Sequence, residues 1–146
     1  MNPSKTLRDI MSADPVMVQP DTSIQEVARL MQSHDIGNVL ITENDRLSGI
    51  VTDRDLVVRA LTGNVDPNSA VRDYMTSASD LLTCTPETSL QDAAQQMADR
   101  QVRRLPVVDS GGKPVGIVSL ADLAVKSSGG ADETALEGIS QPSHNQ

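Results

Sequence analysis

The chain has 146 residues, a net charge of −8, 38% hydrophobic residues and one aromatic, Tyr74, so its core must be aliphatic and is large enough for an ordinary domain. The acidic balance repels polyanions and excludes nucleic acid as a general partner, although a small phosphorylated ligand needs only a few local cations. The single cysteine, Cys84, excludes an internal disulfide; with no apolar run of membrane-spanning length and no secretory signal, a cytoplasmic protein with no membrane contact is expected.

Residues 1–6 read as an N-terminal segment in which Thr6 caps a short helix from Leu7 to Met11. Pro15 forces an extended path, and Val16 to Val18 reads as a strand. Thr22 with Gln25, or Ser23 with Glu26, makes a capping box. The apolar stripe Ile24, Val27, Ala28 and Met31 then predicts an amphipathic helix ending near His34. Gly37 breaks that pattern. Val39 to Ile41 and Leu47 to Val51 read as two strands of a hairpin turning at Glu43 to Arg46. Thr52 caps a helix from Asp53 to about Leu61, and residues 62–70, with Gly63, Asn64, Pro67 and Asn68, read as a linker.

The same order then recurs. Val71-Arg72-Asp73-Tyr74-Met75 echoes Leu7-Arg8-Asp9-Ile10-Met11, and Leu81 to Cys84 takes the first strand position. Pro86, Thr88, Ser89, Gln91, Ala94 and Met97 repeat Pro20, Thr22, Ser23, Gln25, Ala28 and Met31. Strands at Leu105 to Val108 and Val115 to Val118 and a helix from Leu120 to about Lys126 close the second copy. Gly49-Ile50-Val51-Thr52-Asp53-Arg54-Asp55-Leu56 and Gly116-Ile117-Val118-Ser119-Leu120-Ala121-Asp122-Leu123 share Gly, Ile, Val, a hydroxyl residue, Asp and Leu at the same spacings. A tandem repeat of this kind means two copies of one supersecondary unit, here strand–helix–strand–strand–helix, each too small to bury a sufficient core alone. The resulting boundaries are residues 7–61, a linker 62–70, residues 71–126, and a disordered tail 127–146.

Two registered units each ending in Gly-hydrophobic-x-Thr/Ser-x-x-Asp resemble a tandem pair of CBS domains, the Bateman module, over about residues 7 to 125. Within that family the chain is similar to short stand-alone bacterial members, hypoxic-response types among them. The resemblance implies an α/β (α+β) fold of two β-α-β-β-α repeats packed with pseudo-twofold symmetry. It also implies an adenosyl ligand (AMP, ADP, ATP or S-adenosylmethionine) in the cleft between the repeats. Carried over residue by residue, Asp55 and Asp122 meet ribose hydroxyls, Thr52 and Ser119 stand at the helix starts, and Ile50 and Ile117 wall the adenine. Leu82 and Val102 would complete the Asp55 site, and Val16 and Ile36 the Asp122 site. Arg103 and Arg104 are the phosphate candidates, since a guanidinium grips two oxygens in a fork.

The first repeat has Gly37, Asn38 and Leu40 where the second has Arg103, Arg104 and Pro106, and Asp53 adds a carboxylate beside one helix start. The two sites are therefore expected to be unequal: one is empty, or it takes a less charged ligand such as adenosine or S-adenosylmethionine. The bland reading of each hydroxyl–Asp pair is a helix cap alone, which can coexist with ligand contact. Arg103 and Arg104 read blandly as a solvated pair, of which one faces any given site. His34, Cys84 and His144 lack ligand spacing, so no metal is expected. Cys84, Met11 and Met75 read as packing. No nucleophile–base pair or phosphate loop appears, so the chain reads as a non-enzymatic regulatory sensor. It would form a homodimer, as the resemblance implies, and act on a protein partner that the sequence does not name. The alternative is a dimerisation or interaction module that has lost its ligand.

Overall fold

The computed structural model describes residues 5–126. In chain order the elements are α1 (Leu7–Ile10), β1 (Ser12–Ala13), β2 (Met17–Val18), α2 (Ile24–His34), β3 (Asn38–Glu43), β4 (Arg46–Thr52), α3 (Asp53–Thr62), β5 (Thr76–Ser77), α4 (Leu90–Arg100), β6 (Arg104–Val108), β7 (Pro114–Ser119) and α5 (Leu120–Lys126). Short 3-10 turns cover Val71–Asp73 and Ala78–Asp80. The expected tail at 127–146 lies outside the described residues.

The chain forms two compact units that do not follow the sequence repeats. The Asp55 unit comprises residues 15–81 and 111–114; the Asp122 unit takes 5–14, 82–110 and 115–126 of the described residues. Residues 5–14 thus belong with the second copy of the motif, and the segment Val71 to Met75, which echoes Leu7 to Met11, belongs with the first.

In the Asp55 unit the sheet order is β2-β3-β4-β5. β2 runs parallel to β3, and β3–β4 and β4–β5 are antiparallel. The hairpin turns through Asn44 and Asp45, both at positive φ, as the twist of a tight two-residue turn demands. The Ser23 hydroxyl accepts the Glu26 N–H at 3.1 Å and so starts α2. Ile24, Val27 and Met31 of α2 close over Val39, Ile41 and Val51 of the sheet, and Val71 joins them. The linker also caps α2, because the Ile24 N–H donates to the Ser69 carbonyl at 2.9 Å and the Gln25 N–H to that of Pro67 at 3.1 Å.

The Asp122 unit repeats this plan with its own pieces. Its sheet order is β1-β7-β6, with β1 antiparallel to β7. Leu7 and Ile10 of α1 enter a core of Leu90, Ala93, Ala94 and Met97 from α4, Leu105, Val107 and Val118 from the sheet, and Leu123 from α5. Leu7 N–H donates to Thr88 at 2.9 Å and Leu90 N–H to Lys5 at 3.2 Å, so residues 5–8 cap α4 as the linker caps α2. The expected strand at Leu81 to Cys84 shrinks to one parallel bridge between Cys84 and Val107. In the Asp55 unit the Leu40 N–H binds the Val16 carbonyl at 3.0 Å. The equivalent residue in the Asp122 unit, Pro106, has no N–H, so that rung of the ladder cannot form.

Cys84 is buried in this core. Burial pushes its thiol above the ordinary range, a hydrogen bond with Thr88 opposes the shift, and the Asp92 carboxylate adds to it. The group is a neutral packing element rather than a reactive thiolate.

Candidate functional site

Each motif sits where a strand runs straight into a helix. At the first junction β4 ends at Thr52 and α3 begins at Asp53. The Asp55 N–H donates to Thr52 Oγ1 at 3.1 Å, and the Thr52 N–H donates to Asp55 Oδ2 at 2.9 Å. The second junction is built alike: Asp122 N–H to Ser119 Oγ at 3.0 Å, and Ser119 N–H to Asp122 Oδ2 at 3.2 Å. Both are reciprocal capping boxes with Asp in the place usually held by Glu. The capping role is therefore real. It engages one oxygen of each half-buried carboxylate and holds the group in a fixed orientation beside its helix start.

A further hydrogen bond ties each junction to the start of the preceding strand. The Asp53 N–H donates to the Gly37 carbonyl at 2.9 Å, and the Leu120 N–H donates to the Arg103 carbonyl at 2.6 Å. Gly37 and Arg103 therefore stand beside the two helix starts at equivalent places. Arg103 is exposed and Arg104 half-buried. Leu105 and Val107 point into the core, so alternation along β6 puts Arg104 and Pro106 on the other face of the sheet. Ile117 shares that face, since its neighbour Val118 points into the core. In the Asp55 unit the corresponding face carries Asn38, Leu40 and Ile50, with Asn38 opposite Thr52 and Leu40 opposite Ile50.

The Asp55 unit thus brings Ile50, Thr52 and Asp55 together, and also contains Val16 and Ile36, which pack against its core. The Asp122 unit gathers Ile117, Ser119, Asp122, Arg103 and Arg104, with Leu82 and Val102 against its core. Leu82 and Val102 lie in the other unit from Asp55, as Val16 and Ile36 do from Asp122.

Reading the sequence for site residues overlooked what covers the motif glycines. A Cβ placed on Gly49 would meet the Thr76 carbonyl oxygen at 2.5 Å and Met75 Sδ at 2.6 Å. On Gly116 it would meet Met11 Sδ at 2.6 Å and the Ser12 oxygen at 3.0 Å. The two-residue strands β1 and β5 cross these glycines, pairing Ala13 with Gly116 and Ser77 with Gly49. The signal was present in the repeated Met11 and Met75, but two residues carry no periodicity.

A polar cavity of about 310 Å³ in the Asp55 unit is lined by residues including Asp21, Glu43 and Arg72, none of them at a junction. In the Asp122 unit the equivalent Arg8 and Glu87 form an ion pair. Asp21 is one methylene shorter than Glu87, and no such pair forms with Arg72 among the described residues. No group of three or more His, Cys, Asp or Glu side chains among the described residues could hold a metal. No described helix is long and apolar enough to cross a membrane.

The CBS domain family model matches the chain twice, over residues 7–61 and 71–129. The chain belongs to the CBS domain family. Among curated CBS proteins it is 37% identical to the CBS domain-containing protein YhcV of Bacillus subtilis over 139 residues, 95% of this chain and 96% of that one. It is 38% identical to Hypoxic response protein 1 of Mycobacterium tuberculosis over 120 residues, 82% of each chain. A crystal structure of Hypoxic Response Protein I with two coordinated zinc ions superposes with a TM-score of 0.72 at 35% identity, covering 84% of this chain and 98% of that one. CBSX2 in complex with AMP gives 0.72 at 27% identity, covering 84% and 96%. The CBS pair of protein MJ0100, in complex with 5′-methylthioadenosine and S-adenosylmethionine, gives 0.73 at 27% identity, covering 84% and 95%.

Proposed function

We propose that this CBS pair is a cytoplasmic regulatory sensor, not an enzyme, that binds an adenosine nucleotide of the AMP, ADP or ATP type. The observation that carries the reading is the doubled junction: each motif aspartate uses Oδ2 to cap its own helix start, and its other oxygen lies outside that cap; in this reading the second oxygen accepts from a ligand hydroxyl. Ile50 and Ile117 would flank the base, and Arg103 and Arg104 would meet phosphate, with Arg104 on the same sheet face as Ile117. By family resemblance, Leu82 and Val102 serve the ligand at Asp55, and Val16 and Ile36 the ligand at Asp122. Relatives bound to AMP and to S-adenosylmethionine support the ligand class. Regulation requires only that the ligand prefer one arrangement of the protein, which a partner protein then reads.

Isothermal titration with AMP, ADP, ATP and S-adenosylmethionine tests this. Asp55→Ala and Asp122→Ala are each expected to weaken binding at one site by about 10- to 100-fold, the worth of a hydrogen bond to a charged group. Thermal melts of the same variants separate that loss from the loss of a helix cap. No heat from any of the four ligands would sink the reading and leave an interaction module that has lost its ligand.

The reading includes a homodimer. Its support is the outer face of α3, where Val57 is 55% exposed, Val58 47% and Leu61 82%, while no residue of the helix is fully buried. Wild-type protein should sediment as a dimer, and Leu61→Glu should shift it toward monomer; sedimentation of both species unchanged at the monomer mass would remove this element.

A further inference from the structure

The far end of the β3–β4 hairpin gathers charges that the protein itself leaves unpaired. β3 begins at the first junction, where Asn38 lies opposite Thr52, and ends at Glu43, about 17 Å further on at the rise of an extended strand. There Thr42, Glu43 and Asn44 line an open cavity of about 310 Å³ together with Gln19, Asp21 and Arg72. The Arg72 N–H donates to the Pro20 carbonyl at 3.1 Å, which fixes the arginine beside the turn that carries Asp21. The Asp122 unit has the same backbone bond, from the Arg8 N–H to the Pro86 carbonyl at 2.9 Å, and there the guanidinium closes onto Glu87. Asp21 stands in the place of Glu87 and is too short to do the same. Glu43 also lacks its natural counterpart. Arg46 is its cross-strand neighbour but lies over Gly112, where a Cβ would meet Arg46 Nε at 3.3 Å. Among the described residues, the side chains of Asp21, Glu43 and Arg72 thus line one cavity and form no ion pair with one another.

We propose that this cavity binds a small zwitterion of the amino-acid class, its carboxylate held by Arg72 and its ammonium by Asp21 and Glu43. Binding there is independent of the adenosyl reading, since the cavity lies at the opposite end of β3 from the junction. A guanidinium presents two donors in one plane, the match for a carboxylate. A primary ammonium has three N–H donors, and two carboxylates with the Thr42 hydroxyl can accept all of them. A simple anion such as phosphate would face two carboxylates, and a simple cation would face the arginine. Only a ligand with both signs of charge satisfies all three groups. The volume stands at the small end of the range for small-molecule sites, and the polar lining suits a charged solute rather than an apolar one. The three charged side chains belong to exposed residues, so screening keeps the affinity modest and dependent on salt.

Amide NMR spectra of the full chain, titrated with L-alanine in low-salt buffer, test the assignment. Saturable shifts are expected at Asp21, Glu43, Asn44 and Arg72, and none at Thr52 or Asp55. N-acetyl-L-alanine lacks the ammonium and L-alaninamide lacks the carboxylate. Each should bind about tenfold more weakly or worse, the worth of one charge-assisted hydrogen bond. Arg72→Gln should weaken L-alanine to the same extent. Asp21→Glu is the sharper variant, because it restores the length found at Glu87 and changes no charge. Arg72 should then pair as Arg8 does, and L-alanine affinity should again fall about tenfold. Both variants alter exposed side chains, so a lost response reports on binding rather than on folding. Absence of saturable shifts with L-alanine would overturn the proposal. Equal binding of N-acetyl-L-alanine would reduce the cavity to a carboxylate site and overturn it too, as would undiminished L-alanine binding by Asp21→Glu.

Discussion

Replacing Leu7 by alanine should destabilise the protein by about 2–5 kcal/mol, the range for removing a large aliphatic side chain from a packed core. Leu7 is fully buried although it lies near the start of the chain. Its neighbours in the core are α4, β6, β7 and α5, while α2, the next helix along the chain, packs in the core of the other unit. Hydrogen exchange distinguishes the two arrangements. Loss of protection in Leu7→Ala should concentrate in Leu90–Arg100, Arg104–Val108 and Pro114–Ser119. If loss concentrated in Ile24–His34 instead, the assignment of α1 to the Asp122 unit would be wrong. Val71→Ala is the matched control: Val71 is likewise fully buried, in the Asp55 unit, and should lower protection there. Its cost should be smaller, because fewer buried methyl groups are lost.

The second large effect is expected at the motif glycines. Gly49→Ala forces a methyl group to within 2.5 Å of the Thr76 carbonyl oxygen, and relief requires moving the β5 backbone. Gly116→Ala meets chiefly the Met11 side chain, with the backbone oxygen of Ser12 farther off at 3.0 Å. Overpacking of this kind costs roughly 1–3 kcal/mol, and Gly49→Ala should lie at the upper end. The two variants should also differ in rescue. Met11→Ala combined with Gly116→Ala should recover part of the loss, since a flexible side chain was the main obstacle. Met75→Ala combined with Gly49→Ala should recover little, since the carbonyl remains. Urea denaturation midpoints of the four proteins decide it, and equal rescue at both sites would show that the backbone contact at Gly49 is not the controlling one.

These glycines mark the edge of what the sequence makes legible. The helices α2 and α4 could be placed from their stripes because eleven-residue amphipathic segments contain about three turns of pattern, and Ser23 and Ser89 announce their starts. The β3–β4 hairpin followed from β-branched runs flanking a polar turn. Strands β1 and β5 escaped because two residues carry no period, and the strand expected at Leu81 failed because Pro106 removed its hydrogen-bond donor. At the junctions, Thr52 with Asp55 and Ser119 with Asp122 were readable as caps from spacing alone, and the structure contains both caps. Which faces of the strands carry Arg104 and Ile50 also followed, once Val107 and Val51 were seen to face the cores.

The duplication, its register, the aliphatic composition of the cores and the chemical inequality of the two motif copies are all properties of the sequence by itself. They depend on residue identity and short-range spacing, which a linear chain states directly. Tertiary structure alone decided that residues 5–14 complete the second copy and residues 70–77 the first. A segment of that length has too few apolar side chains to specify its own partner. It goes to whichever unit offers unsatisfied helix N–H groups and a vacant place in its core, and that vacancy exists only once α4, β6 and β7 have come together. The same holds for Arg72. Its charge is visible in the sequence, but its meeting with Asp21 and Glu43 in one cavity arises only from the way the end of β3 lies beside the turn before α2 in three dimensions.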